Sequence, residues 1–256
     1  MIADDDLSLD ALTVGVEVFQ RKTGHRFSSD DVTTAWVGVE VCPRPARVLD
    51  LGCGLGSVLL HLAWSIPEAV LVGIEAQAIS FALASRNVSH NRLADRVTVH
   101  HGDLRDAALL ASVGAPFDLV TGTPPYFPAS NATVAIDEQR AYARIEYRGG
   151  IEAYIEAASK VLAPDGWFVV CGDSDASERI EVAAAMFGLT LRRSYIVIPR
   201  AGRPPLFSVW ALQHGDTASV VEATLTLRDH LGERTADAKR LRAFSGFPEK
   251  APHSRS

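Results

Sequence analysis

The chain has 256 residues, of which 47% are hydrophobic and 22% charged, a composition typical of a folded globular protein. Its net charge of −6 argues against nonspecific binding to long nucleic acids, although a local basic patch would suffice for a specific RNA. The three cysteines are scattered, no apolar run is long enough to span a membrane, and the acidic N-terminus is unlike a secretory signal. We therefore expect a cytoplasmic protein with free thiols, without membrane contact and without a metal site.

From residue 46 onward, short β-branched runs alternate with helical stretches, a pattern typical of a parallel sheet flanked by helices. The predicted strands are Ala46–Leu51, Val70–Glu75, Val97–His100, Phe117–Gly122, Trp167–Cys171, Leu189–Ile198 and Leu206–Gln213. The predicted helices are Asp30–Val41, Ser57–Ser65, Gln77–Asn91, Gly150–Leu162 and Ala176–Phe187. The segment between the last two strands is too short for a crossover helix, so we expect these strands to pair antiparallel.

A glycine-rich turn follows the first of these strands. The strand runs into Asp50 and then into Gly52, Gly54 and Gly56, after which a helix begins. Glycine lets the backbone turn sharply and approach a ligand, and amides at a helix N-terminus can face a polar group. Glu75 ends the next strand, where a carboxylate can accept both hydroxyls of a ribose. The alternatives are a dinucleotide-binding turn, whose last glycine is a serine here, and a turn without a ligand.

This Gly-x-Gly-x-Gly spacing after Asp-Leu resembles motif I of the class I S-adenosylmethionine-dependent methyltransferases. The resemblance implies S-adenosylmethionine as the methyl donor. It also implies that Asp103, after the third strand, receives the adenine amine; alternatively, Asp103 caps a helix that begins at Leu104. The implied donor-binding residues are Asp50, Gly52, Cys53, Gly54, Gly56, Glu75, Ala76, Asp103, Leu104 and Thr123.

The fourth strand ends in Thr123-Pro124-Pro125-Tyr126, which resembles motif IV of the amino-methyltransferases, where an asparagine precedes the two prolines. The resemblance implies that the side chain of residue 123 and the Pro124 carbonyl orient the acceptor amine, while Tyr126 packs on the acceptor. These four residues are the implied catalytic set. A threonine hydroxyl is shorter than the amide and is also a donor, so the acceptor side departs from the family here. A proline turn with a purely structural role is the alternative.

The resemblance extends along the chain to bacterial tRNA methyltransferases that modify an adenine amine in valine tRNA. It covers Phe19–Asp30, Ala143–Glu146 with Ile145 in place of histidine, Pro199–Pro205 and Leu225–Leu241. The implied acceptor is an amino nitrogen of a nucleobase in tRNA or another RNA. Because both departures fall on the acceptor side, a small-molecule or protein acceptor is the alternative, and a non-catalytic donor-binding subunit is a further one.

Basic residues follow the motif IV segment at regular spacing. Arg140, Arg144 and Arg148 recur every fourth residue, which would place them on one face of a helix. With Arg200 and Arg203 they could frame the acceptor pocket and bind phosphate or carboxylate groups; a solvated helix face is an equal alternative. The predicted substrate-binding residues are Phe127, Arg144, Arg148, Arg200 and Arg203.

The sequence thus predicts an α/β, Rossmann-like fold with a seven-stranded, mainly parallel sheet, helices on both faces and a C-terminal antiparallel strand pair. Residues 1–29 are expected to form an N-terminal extension that leads into the domain, residues 30–247 a single methyltransferase domain, and residues 248–256 a flexible tail. The oligomeric state stays open.

Overall fold

The computed structural model of the chain describes residues 4–127, 137–215 and 219–248. The strands are β1 (Leu7–Ala11), β2 (Glu17–Arg21), β3 (Arg47–Leu51), β4 (Val70–Glu75), β5 (Val97–His101), β6 (Phe117–Gly122), β7 (Leu162–Gly172), β8 (Leu189–Ile198), β9 (Phe207–His214) and β10 (Val221–Thr226). The helices are α1 (Ser29–Val41), α2 (Ser57–Ser65), α3 (Ala78–His90), α4 (Ala107–Ser112), α5 (Glu138–Arg144), α6 (Ile151–Val161), α7 (Ser177–Met186) and α8 (Ala236–Phe244).

Most strands join one sheet in the order β10-β8-β9-β7-β6-β3-β4-β5, while β1 and β2 form a separate hairpin. Strands β3 to β7 pair in parallel, and β9 runs antiparallel to both β7 and β8. The mainly parallel α/β sheet and its antiparallel pair are confirmed. The predicted number of seven strands was wrong by one, because β10 adds in parallel at the edge beside β8. Most side chains of β10 are exposed or half-buried, so it lacks the apolar run that identifies buried strands.

Helices cover both faces of this sheet, as predicted. One apolar layer includes side chains of α1, α2 and α3, and the other includes side chains of α4, α6 and α7. Successive residues of β3 alternate between the layers, with Val48 in the first and Leu49 in the second. Strand β3 is therefore buried on both sides, which is why the apolar residues Val48 and Leu49 are adjacent in its sequence.

The strand order reverses at β3. Strands β4 and β5 follow on one side of it, whereas β6 and β7 lie on the other. The connections that leave β3 and β6 therefore run to opposite sides, and a crevice opens between them at the carboxyl ends of these strands. In open α/β sheets, ligands bind at such a switch point.

The N-terminal hairpin, which the sequence did not predict, packs against α3. Asn87 of α3 is fully buried, and its Oδ1 accepts a hydrogen bond from the Phe19 amide at 2.7 Å. Its Nδ2 donates to the carbonyls of Phe19 and Leu55 at 3.1 and 2.9 Å. Because Leu55 belongs to the glycine turn, one side chain holds the hairpin and the turn together. The division of the chain at residue 30 stays a prediction, and residues 249–256 of the expected tail lie outside the described residues.

Within the described ranges, no helix combines the length and the apolar character needed to cross a membrane.

Candidate active site

The turn after β3 depends on glycine for two different reasons. Gly52, Gly54 and Gly56 have φ angles of +63°, +57° and +90°, a region that side chains with a β-carbon rarely occupy. A β-carbon on Gly52 would also overlap the hydroxyl of Tyr154, whose Cζ would lie 3.0 Å away. A β-carbon on Gly54, by contrast, would meet nothing within 4 Å. Gly52 therefore allows close packing behind the turn, whereas Gly54 leaves open space in front of it.

Glu75 ties the turn to the end of β4. Its Oε2 accepts a hydrogen bond from the Gly54 amide at 2.8 Å, and its Oε1 accepts one from the Gln77 amide at 2.7 Å. The residue is only 6% exposed, and burial raises the pKa of its carboxyl although both amides oppose the shift. A carboxylate has about four acceptor positions, so this one retains capacity for the hydroxyls of a ligand.

Asp50 lies beneath the turn. Its Oδ1 accepts a hydrogen bond from the Thr121 hydroxyl at 2.8 Å, while its buried Oδ2 has no partner among the described residues. Burial raises the pKa of Asp50 to about 7, and the neighbouring Glu75 adds to this shift. Buried acceptors without a partner are rare in folded proteins, so the unpartnered Oδ2 of Asp50 is an unusual feature of the site.

A cleft opens in front of the turn, with about 820 Å³ of empty space when the solvent at its mouth is included. Predicted site residues that line it are Gly52, Cys53, Gly54, Glu75, Ala76, Asp103, Leu104, Thr123, Pro125 and Arg148. Predicted site residues that do not line it are Asp50, Gly56, Pro124, Tyr126, Phe127, Arg144, Arg200 and Arg203. The structure thus brings the turn, the ends of β4 and β5, and the segment after β6 to one cavity.

Asp103 forms part of the cleft wall beyond β5. Its carboxylate is held by Arg105, with Nε–Oδ1 and Nη2–Oδ2 distances of 2.9 and 2.7 Å, and this pairing lowers its pKa. The alternative that it caps a helix is wrong, because α4 begins at Ala107 and Asp106 accepts the capping hydrogen bonds. The carboxylate therefore stays charged at the cleft, at the position where the resemblance implies contact with adenine.

The motif IV segment leads from β6 to the opposite end of the cleft. Thr123 and Pro125 line the cleft, and Pro124 between them is buried. The chain is fixed again at Phe127, whose amide donates to the Arg144 carbonyl at 2.9 Å and whose carbonyl accepts from the Glu146 amide at 2.9 Å. Residues 128–136, which follow, lie outside the described residues.

Tyr126 occupies a different place from the one its predicted role requires. Its hydroxyl points into the protein, 3.0 Å from Oδ2 of Asp30 and 3.2 Å from Sγ of Cys171, and it is absent from the cleft lining. Two other tyrosines, Tyr142 and Tyr154, do line the cleft, and the guanidinium of Arg148 lies 4.6 Å from the centroid of the Tyr142 ring. The sequence did not single out Tyr142, because only the return of the chain through α5 brings it to the site.

The prediction that three arginines share one helical face was wrong. Helix α5 ends at Arg144, since Ile145 pairs with Phe127 in a short parallel bridge, and Arg148 follows outside the helix. Arg148 lines the cleft, whereas Arg144 is exposed on the surface.

Arg200 and Arg203 lie on the connection from β8 to β9. Both are exposed, and Arg200 donates a hydrogen bond to the His230 carbonyl. Neither arginine lines the cleft, so the structure does not support their predicted position in the acceptor pocket. Contact of Arg200 and Arg203 with a larger substrate stays a prediction.

Two further cleft residues come from the segment before and within α1. Asp31 is 6% exposed, and its Oδ2 accepts a hydrogen bond from the Ser28 amide at 2.8 Å. Burial raises the pKa of Asp31 to about 8, while its hydrogen bonds with Ser28 and Ser57 oppose the shift. His25 lies at the cleft as well, and burial lowers the pKa of its imidazole. The resemblance covers His25 within Phe19–Asp30 without giving it a role, and no local motif marks Asp31, because both reach the site through tertiary packing.

Between about pH 4 and about pH 8, the contribution of Asp31 to the free energy of unfolding of the donor-free protein is expected to fall as pH rises. The pKa of Asp31 is raised from 3.8 to about 8 by folding, so the folded state retains a proton that the unfolded state releases over this range. A raised folded pKa gives stability that is complete below the unfolded pKa and lost as pH rises through the folded one. Asp31→Asn, which does not ionise, lacks this contribution, so the difference in free energy of unfolding between this variant and the unsubstituted protein should change with pH over this range.

Urea unfolding at several pH values measures this slope. Asp95→Asn, at an exposed position, is the matched control and should follow the unsubstituted protein. Parallel profiles for Asp31→Asn and the unsubstituted protein would contradict the assignment.

Comparison with known proteins identifies the family. A model described as a methyltransferase domain matches residues 48–150. A tRNA1(Val) (adenine(37)-N6)-methyltransferase of Porphyromonas gingivalis is 31% identical over 207 residues, which are 79% of this chain and 80% of that protein. The chain belongs to this methyltransferase family. Another member, from Bacteroides thetaiotaomicron, is 28% identical over 82% of this chain and 85% of its own length.

Solved structures of other methyltransferases share the fold. A predicted O-methyltransferase of Agrobacterium tumefaciens superposes with a TM-score of 0.63 at 19% identity, over 86% of this chain and 99% of that one. The precorrin-6y C5,15-methyltransferase of Geobacter metallireducens gives a TM-score of 0.52 at 14% identity, over 77% of this chain and 93% of that one.

The family makes the protein a methyltransferase that uses S-adenosylmethionine as its donor. The described residues fit that molecule, which carries a positive sulfonium and a positive ammonium. Asp31 and Glu75 place buried carboxyl groups at the cleft, where the positive charges of the donor would favour their ionised forms. Asp50 adds a carboxyl oxygen without a partner among the described residues, and Gly54 leaves space for close approach. When bound, the donor supplies an electrophilic methyl group.

Proposed function

We propose that this protein transfers the methyl group of S-adenosylmethionine to an amino nitrogen of an adenine in tRNA. The observation that carries the proposal is the joint lining of one cleft by the glycine turn with Glu75 and by Thr123 with Pro125. A donor held at the first set and an acceptor held at the second would meet within a single cavity. The similar proteins of P. gingivalis and B. thetaiotaomicron, named for adenine-N6 methylation of tRNA1(Val), support the choice of acceptor.

In this proposal each part of the cleft has a separate task. The turn and Glu75 hold the donor, the latter through its remaining acceptor positions toward the ribose. The Thr123 hydroxyl accepts a hydrogen bond from the acceptor amine and directs its lone pair toward the methyl group. Alignment of two bound reactants supplies most of the acceleration in such a displacement, so these contacts need only position the nitrogen.

The two departures from the family pattern differ in how directly they affect the acceptor. Ile145, in place of histidine, is 5% exposed and is absent from the cleft lining, so that replacement affects packing beside Phe127. Thr123 does line the cleft, so its replacement of asparagine bears directly on the acceptor. This one difference favours the second candidate function, transfer to a small molecule or a protein side chain.

Positive charge near the cleft supports an RNA acceptor. Arg140 and Arg144 are exposed on α5. Burial is the largest cause of the lowered pKa of His25, and the charges of these two arginines lower it further. Because His25 lines the cleft, both arginines lie within electrostatic range of its mouth, where they can meet phosphate groups. A local patch of this kind is compatible with the overall charge of −6. A cytoplasmic location, where tRNA is available, is part of the same proposal.

Labelled S-adenosylmethionine and a fractionated cell extract separate the two functions. We expect the label to enter the tRNA fraction, and binding to that RNA to weaken steeply as the salt concentration rises. Label confined to small molecules or to protein would overturn the proposal in favour of the second candidate.

Substitutions at Thr123 test how the acceptor is held. Thr123→Asn is expected to raise the rate of transfer to adenine by about 10-fold, because the longer amide carbonyl supplies a better-placed acceptor. Thr123→Val, which removes the hydroxyl at similar volume, should lower the rate by about 10-fold and leave donor binding unchanged. Initial rates with saturating donor measure both effects. Equal rates for all three proteins would remove residue 123 from acceptor positioning.

A further inference from the structure

The arginine that the sequence assigned to the acceptor lies on the donor side of the cleft. Arg148 belongs to the connection between α5 and α6, and its guanidinium lies over the ring of Tyr142 at 4.6 Å. Both side chains line the cleft. Stacking on an aromatic face fixes the plane of a guanidinium and leaves its edge available for hydrogen bonds.

One edge of that guanidinium has no partner. Nη1 of Arg148 is buried and makes no hydrogen bond within the described ranges. Arginine stays charged in proteins, and a buried charged donor without an acceptor costs more than a neutral one. Since the residue borders a ligand cleft, the missing acceptor is best supplied by a ligand.

The surroundings of Arg148 locate it along the cleft. Its positive charge is close enough to Glu75 and Asp103 to act on both carboxyls. It opposes the increase in the pKa of Glu75 that burial causes, and it adds to the decrease in the pKa of Asp103 that Arg105 causes. These two carboxylates end β4 and follow β5, at the donor half of the cleft.

Neither carboxylate satisfies Nη1. Both oxygens of Glu75 accept hydrogen bonds from backbone amides, and both oxygens of Asp103 are paired with Arg105. Arg148 thus stands beside two carboxylates whose oxygens are held by other donors, while its own Nη1 makes no hydrogen bond among the described residues.

We propose that Arg148 binds the adenosyl part of the methyl donor, with Nη1 donating a hydrogen bond to an acceptor atom of its ribose or its adenine. The ring of Tyr142, stacked against the guanidinium, holds it in place. Arg148 is then a residue that binds the methyl donor, and the connection between α5 and α6 covers the bound nucleoside. The inference rests on the donor that the family establishes and is independent of the acceptor.

Calorimetric titration with S-adenosylhomocysteine and with 5′-methylthioadenosine tests the assignment without any acceptor. Arg148→Met is expected to lower the affinity for both ligands by about 10- to 100-fold, because both contain the adenosyl group. Arg44→Met, which removes an exposed arginine that does not line the cleft, is the matched control and should leave both affinities within about 2-fold. Thermal unfolding checks that each variant is folded.

Unchanged affinity in folded Arg148→Met would overturn the inference. A loss for S-adenosylhomocysteine but not for 5′-methylthioadenosine would also overturn it, since Arg148 would then contact the amino-acid part of the donor. If Arg148→Met does not fold, Arg148→Lys keeps a charge beside Tyr142 but lacks the planar fork, and it must lose affinity for both ligands. Failure of tRNA methylation would leave these results unaffected, so the two proposals fail separately.

Discussion

Glu75→Gln is expected to weaken binding of S-adenosylmethionine by about 100-fold or more. Both oxygens of Glu75 accept hydrogen bonds from backbone amides, those of Gly54 and Gln77. Glutamine has only one carbonyl oxygen, so its NH₂ group would face one of these amides, and the end of β4 would separate from the turn. The proposed contacts to the ribose would be lost with the charge.

Calorimetric titration with the donor measures this change. Glu68→Gln is a matched control, because Glu68 is exposed just before the same strand and should leave the affinity unchanged. Retention of full affinity in a folded Glu75→Gln variant would show that this carboxylate does not hold the donor.

Alanine at Gly54 or at Gly52 is expected to reduce stability to different extents. Gly54→Ala should lower the free energy of unfolding by only about 1 kcal/mol, since the added β-carbon meets open space and only the positive φ is unfavourable. The same β-carbon projects where the donor would approach, so we expect binding to fall below detection. Gly52→Ala should lower the free energy of unfolding by about 2–5 kcal/mol, because its β-carbon also overlaps Tyr154.

Denaturant unfolding and donor titration, measured on both variants, separate the effects. Tyr154→Phe, which removes the overlapping hydroxyl, should restore part of the stability of Gly52→Ala and none of the binding of Gly54→Ala. Equal destabilisation of the two glycine variants would contradict the different surroundings of their β-carbons.

The central sheet could be predicted because its signals are local. Strands β4 and β6 and helix α2 have the predicted bounds, since each is a compact apolar stretch between turn residues. The hairpin of β1 and β2 has no such signal. Its position depends on Asn87, nearly 70 residues away in sequence, so no local pattern marks it.

In the candidate site too, residues with a local sequence signal were predicted and residues placed by tertiary contacts were not. The glycine turn and Glu75 were predictable from spacing, because each follows directly from the end of a strand. Tyr142 was not predicted. Arg148 was predicted at the site, but its placement on the helix was wrong, since α5 ends at Arg144, where Ile145 pairs with Phe127. Extending the four-residue spacing of the arginines across that point assigned Arg148 to the same face as Arg144.

Quantification of N6-methyladenosine in a digested tRNA is the most direct test of the central proposal. Unmodified valine tRNA would be incubated with the protein and S-adenosylmethionine, in parallel with the same tRNA carrying guanine in place of the adenine at position 37. The proposal predicts N6-methyladenosine in the first RNA and none in the second. A folded protein that binds the donor but forms no N6-methyladenosine in either RNA, while methylating another class of molecule, would contradict it.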